Sequence, residues 1–203
     1  MLLLSLTTLT AEIKSTGVGT VKGEVVTSRE VQIQNLLENA LYTKDTKAPL
    51  KILPLDSKGF AKVVQDTLLE NAIALEAQNF NVVQVPADEM NQLEKQATSA
   101  LREAPAWKGL RVTTKELQAG LRRKVHAKKF IQFRAQSSVL PITDSEAQKY
   151  FNENRLKFGD LPYENFKENI KSYLSRTQVE RRLKDWYEVL LNKYQVKNMI
   201  AEI

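Results

Sequence analysis

The chain contains no cysteine and a single histidine, His126. Together these exclude a thiol nucleophile, a zinc finger and an iron–sulfur site. The missing cysteine does not decide the compartment, because a sizeable core needs no disulfide. A site built from carboxylates stays open, but no tight Asp/Glu spacing points to one, and neither a metal nor a cofactor is expected. No run reaches the roughly 18 apolar residues of a membrane span. A Gly-x-x-x-x-Gly-Lys-Ser/Thr stretch is also lacking. The segment "GVGTVKG" from Gly17 to Gly23 leads into strand residues rather than a helix start, so it is no phosphate loop. With few nucleophile–base pairs available, an enzyme is the least favoured reading.

What is present is a chain of 203 residues, 42% apolar, which suits one elaborate domain or two small ones and excludes wholesale disorder. Thirty Lys and Arg against 24 Asp and Glu give a net charge of +6. The excess is spread along the sequence, favouring solubility over dedicated nucleic-acid binding. The opening "MLLLSLTTLTAEI" is short, apolar and ends in small residues. It looks like the h-region and cleavage end of a secretory signal without the basic n-region, so residues 1–11 are expected to be a signal remnant or a disordered end, with a greasy strand as the alternative.

Val18, Val21, Val25 and Val26 favour strand around a tight turn at Lys22-Gly23. Thr27 with Glu30, Thr113 with Glu116 and Thr143 with Glu146 are capping-box pairs that start helices. Helices are predicted over 28–41, 57–79, 87–103, from Thr113 onward, over 144–158 and over 163–193. The second is apolar over a wide arc and should be central; the third has only the narrow stripe Met90, Leu93, Ala97, Ala100 and Leu101 and should pack on one side. In the Thr113 helix, Leu117, Leu121, Val125 and Ile131 share one face, while Phe130 and Phe133 point to roughly the opposite one. In the last helix the stripe turns well over 90° at about residues 175–178, from Phe166, Ile170 and Leu174 to Leu183, Tyr187, Leu190 and Tyr194. Its halves should therefore meet different partners. Val196 and Ile200 recur at strand spacing. The expected fold is mainly α, a multi-helix domain whose small β-sheet joins the strands near 18–26 to one near 195–202.

The order of these pieces resembles the N-terminal chaperone module of the SurA-type periplasmic chaperones, a group that includes PpiD- and PrsA-like foldases. The signs are Val21-Lys22-Gly23-Glu24-Val25-Val26-Thr27 followed by Glu30-Val31, with Lys22 in place of the usual Asn; Glu76-Ala77 before Asn81-Val82-Val83; and Phe130-Ile131, the Arg134 region, Thr143-Asp144, Glu146-Ala147, Tyr150-Phe151 and Glu153-Asn154. Each is weak alone, and their order and spacing carry the likeness from about residue 18 to 203. In that family a parvulin-type prolyl isomerase domain normally follows. Here Lys157-Phe158 leads almost at once to Pro162-Tyr163-Glu164, the family's returning helix. The resemblance thus implies a SurA-like chaperone domain over 12–203, a helical-hairpin lobe over 144–175, and no isomerase insertion near 158–162. A parvulin site characteristically uses two histidines, which one His cannot supply; His126 is expected to be a solvent-side helix residue.

The implied function is an ATP-independent chaperone that is exported to the periplasm. It would hold unfolded or partly folded polypeptide clients, outer-membrane proteins first among them, with Phe130, Phe133, Met90, Leu93 and Trp107 as candidate peptide-binding residues. Core or subunit-interface roles compete for all five. Peripheral membrane contact and homo-oligomer formation are compatible with this reading. A structural or assembly protein that meets a dedicated partner or its own copy is the alternative. Nucleic-acid binding comes third: Arg122, Arg123, Lys124, Lys128 and Lys129 circle their helix rather than forming one face, which suits solvated positions better than a phosphate-tracking patch.

Overall fold

The computed structural model describes residues 15–43 and 50–200; the expected signal remnant over 1–11 lies outside them. Among the described residues, two strands, seven α-helices and a last short strand follow in chain order: β1 Gly17–Val21, β2 Glu24–Thr27, α1 Ser28–Tyr42, α2 Lys58–Phe80, α3 Ala87–Leu101, α4 Pro105–Leu110, α5 Thr114–Ser137, α6 Asp144–Glu153, α7 Lys167–Lys193 and β3 Lys197–Asn198. The fold is mainly helical with a small antiparallel sheet in the order β2-β1-β3. The chain divides into two compact units. Of the described residues, one comprises 15–43, 50–68, 86–122 and 195–200, the other 69–85 and 123–194, so α2 and α5 each contribute a segment to both.

In the first unit β1 and β3, from opposite ends of the described residues, pair in the sheet. Lys22 (φ 53°) and Gly23 (φ 84°) both take left-handed backbone, the geometry a two-residue hairpin turn requires. Gly19 pairs with Asn198 of β3, and a side chain there would have no room. A Cβ on Gly19 would sit 2.6 Å from the Lys197 carbonyl oxygen and 2.8 Å from a Leu68 methyl. Thr27 caps α1 by accepting from the Glu30 N–H at 3.2 Å. The core beneath joins Ile33, Leu36 and Leu37 of α1 to Ala97 and Leu101 of α3, Leu110 of α4, and Leu117 and Leu121 of α5. Only Ala97 and Leu101 of α3 are buried, in keeping with its narrow stripe. Two polar ties hold this core. Gln32, buried, mimics a strand partner: its Nε2 donates to the Leu53 carbonyl at 2.7 Å and its Oε1 accepts from the Leu53 N–H at 3.0 Å. Arg29 pairs with Glu116 at 3.0 Å and also donates to the Leu110 carbonyl, joining the end of α4 to the capping box that opens α5.

The second unit has two centres. Around α6 and the first half of α7, Ala147, Phe151 and Ile170 are buried among Tyr150, Phe158, Tyr163, Phe166 and Leu174. Thr143 and Glu146 form a complete capping box. Asp144 reaches across to Lys167 at 2.6 Å and to Lys171. The two helices connect through short 3-10 turns and Gly159, whose φ of 59° suits the sharp reversal. The second half of α7 joins the end of α2 instead. There Glu76, 6% exposed, accepts from the Tyr194 hydroxyl and from Lys193, both at 2.6 Å, and Asn79 donates to Tyr194 at 2.8 Å. The stripe change in α7 thus marks a change of partner within this unit.

Candidate peptide-binding surface

The aromatic residues of the second unit gather where three helices meet. Phe130 of α5 is 1% exposed. Its ring centroid lies 5.7 Å from Phe80 at the end of α2, 5.9 Å from Phe133 one helical turn on, and 5.7 Å from Trp186 of α7, an edge-on contact. These separations suit offset or edge contacts between rings. Phe80 and Phe133 stay 55% and 42% exposed. The local cause is the helix period: three residues carry Phe133 on from Phe130, close enough to stack and far enough around to reach solvent. Trp186 is half-buried and carries the Arg134 guanidinium 5.3 Å over its ring. Beside it, burial raises the Tyr187 phenol above its ordinary value.

This placement corrects part of the sequence reading. Phe130 does not face solvent opposite a core stripe; it is itself core. The Leu117–Leu121 face of α5 serves the first unit, and beyond residue 122 the helix belongs to the second, where Val125, Ala127 and Phe130 are all buried. Phe133 is the member of the expected pair that remains exposed. Met90, Leu93 and Trp107 belong to the first unit, are half-buried, and are not brought together with Phe133 in one compact unit. Met90 and Trp107 pack against the α1–α3 core.

The cation run of α5 also differs from a fully solvated face. Lys124 is 3% exposed and pairs with Glu70 at 2.6 Å. Arg123 lies 3.6 Å from the same carboxylate and donates to Asn71 at 2.9 Å. His126 is half-buried rather than solvent-side. Phe80, Trp186 and Arg134 were not among the expected site residues. A shallow hollow of about 290 Å³ lies in the same unit between α6 and α7, lined by Ile142, Tyr150 and Leu174 with Glu146, Lys149 and Arg181 among its charged residues. Among the described residues no group of three or more His, Asp or Glu could hold a metal ion, and no helix is long and apolar enough to cross a membrane.

No protein-family model, curated protein or solved structure matches the chain.

Proposed function

We propose that this chain is an ATP-independent holding chaperone for unfolded or partly folded polypeptides. It acts in the periplasm on exported clients such as outer-membrane proteins, and it does not catalyse prolyl isomerisation or another reaction. The observation that carries this reading is the exposure of two large rings, Phe80 and Phe133, seated on a buried third. Leaving such rings in water is unfavourable, and exposed apolar patches mark surfaces that meet other chains. A rigid aromatic platform suits clients of varied sequence, because stacking demands a ring rather than a particular residue. The resemblance of the sequence to the SurA-type order of motifs supports the compartment and the client class. The single histidine and missing cysteine support the lack of isomerase chemistry.

The test is light scattering as a β-barrel protein is diluted out of urea. The chain should suppress aggregation without ATP. Phe80→Ala with Phe133→Ala should lose most of that effect while retaining the wild-type circular dichroism spectrum. The exchange rate of a proline-containing peptide, tens to hundreds of seconds unaided, should not change. Failure to hold any client at micromolar concentration would sink the chaperone reading. A mass in solution showing tight self-association through the same two rings would favour the assembly reading in its place.

A further inference from the structure

Arg134 differs from the cations around it. Lys124 is paired with Glu70, and Arg182 donates to the Ser138 carbonyl at 2.9 Å. Arg134 lies over Trp186, and its Nε is buried with no hydrogen-bond partner among the described residues. No carboxylate pairs with it there, although Asp185 and Glu188 flank Trp186 in sequence. Guanidinium is also the side-chain group that both stacks on an aromatic face and offers a planar fork to a carboxylate. Here the guanidinium lies over Trp186, whose ring meets the same Phe130 that carries Phe80 and Phe133, in a chain of net charge +6.

We infer that this surface selects polypeptide segments in which an aromatic residue adjoins an aspartate or glutamate, the ring resting on Phe80 and Phe133 and the side-chain carboxylate on Arg134. The inference rests on the client-binding function proposed above and names the class of segment it takes. Charge complementarity decides the occupant: the Arg134 guanidinium has no carboxylate partner among the described residues, and an acidic neighbour on the bound segment supplies one.

Three fluorescein-labelled peptides test this. They are identical except for the residue after a central phenylalanine, which is Glu, Gln or Lys. Each is titrated with the full chain and followed by anisotropy. The Glu peptide should bind about tenfold more tightly than the Gln peptide, the scale of one charge-assisted hydrogen bond, and the Lys peptide should bind most weakly. Arg134→Gln should remove the Glu preference, and Arg134→Lys should restore only part of it. Phe133→Ala should weaken all three. Equal wild-type affinity for the Glu and Gln peptides overturns the inference and leaves client binding standing; that comparison needs no variant. A Glu preference that survives Arg134→Gln overturns it too. If none of the peptides binds and aggregation is not suppressed, the proposed function falls, and the inference with it. If oligothymidylate displaces the Glu peptide at similar concentration and physiological salt, the surface belongs to nucleic acid and the inference is overturned.

Discussion

Phe130→Ala and Phe133→Ala should separate sharply, although the residues are one helical turn apart and touch. Phe130 is 1% exposed and has three aromatic neighbours within 6 Å, at 5.7, 5.9 and 5.7 Å. Truncating so buried a phenylalanine removes its transfer free energy and leaves a cavity, together about 3–5 kcal/mol. That is a large share of the roughly 5–15 kcal/mol that holds a domain folded. Phe133, 42% exposed, already has much of its ring in water, so its loss costs chiefly the stacking contact with Phe130, about 0.5–1.5 kcal/mol. Urea unfolding should resolve the two. At a slope of about 2 kcal/mol per molar, Phe130→Ala should lower the midpoint by about 2 M and Phe133→Ala by well under 1 M. Trp186 reports on this site directly, and a Trp107→Phe background removes the other tryptophan, which packs in the first unit. Similar midpoints for the two variants would refute the burial argument. A Phe133→Ala loss equal to that of Phe130→Ala would mean that Phe133 is core and would withdraw it from the proposed client surface.

Three further outcomes follow from geometry. Gly19→Ala should destabilise the first unit by about 1–3 kcal/mol, because the new Cβ would meet the Lys197 carbonyl at 2.6 Å and Leu68 at 2.8 Å; loss of protection at β3 amides in hydrogen exchange would show it. Lys22→Asn should stabilise the hairpin by about 0.5–1 kcal/mol, since Lys22 holds φ at 53° and Asn tolerates left-handed backbone better; an unchanged or lower melting temperature would count against the strain. Hydrogen bonds from Lys167 and then Lys171, with the charges of both, lower Asp144 to about 2 from 3.8, so its contribution to the α6–α7 pairing is fully present above the unfolded value and is lost as pH falls through the folded one; Asp144→Asn should flatten melting temperature against pH across that window, and an unaltered profile would show that the ion pairs add nothing.

The parts of the fold that were legible in the sequence are those with local chemistry. Thr27, Thr113 and Thr143 each accept from the backbone N–H three residues on, and these are the starts at which α1, α5 and α6 begin. The valine-rich hairpin and the strand at the far end of the chain needed only alternation and a turn. α4 was missed because six residues give too few turns for a periodic stripe, leaving Pro105 at its first turn as the available cue. Lys124 was read as a solvated position and is buried, and Gln32, which drew no reading, is buried too. Their partners, Glu70 and Leu53, lie 54 and 21 residues away, and nothing local announces such pairings.

The candidate site was half legible for the same reason. Phe80, Phe133 with Arg134, and Trp186 come from three separate helices, and each alone reads as an ordinary core or surface residue. One local signal was nonetheless present. In α7 the apolar stripe turns at about residues 175–178, and its two halves do have different partners. The same displacement occurs in α5, where the steps of four through Leu117, Leu121 and Val125 give way to Phe130 on roughly the opposite side. Applied to α5, the rule that a turning stripe marks a change of partner would have placed Phe130 in a second core. Phe133, a further turn along, would then stand at the margin of that core. Margins of this kind are where an aromatic ring can be anchored by a buried neighbour and still be presented to solvent, which is the arrangement a surface for varied apolar segments requires.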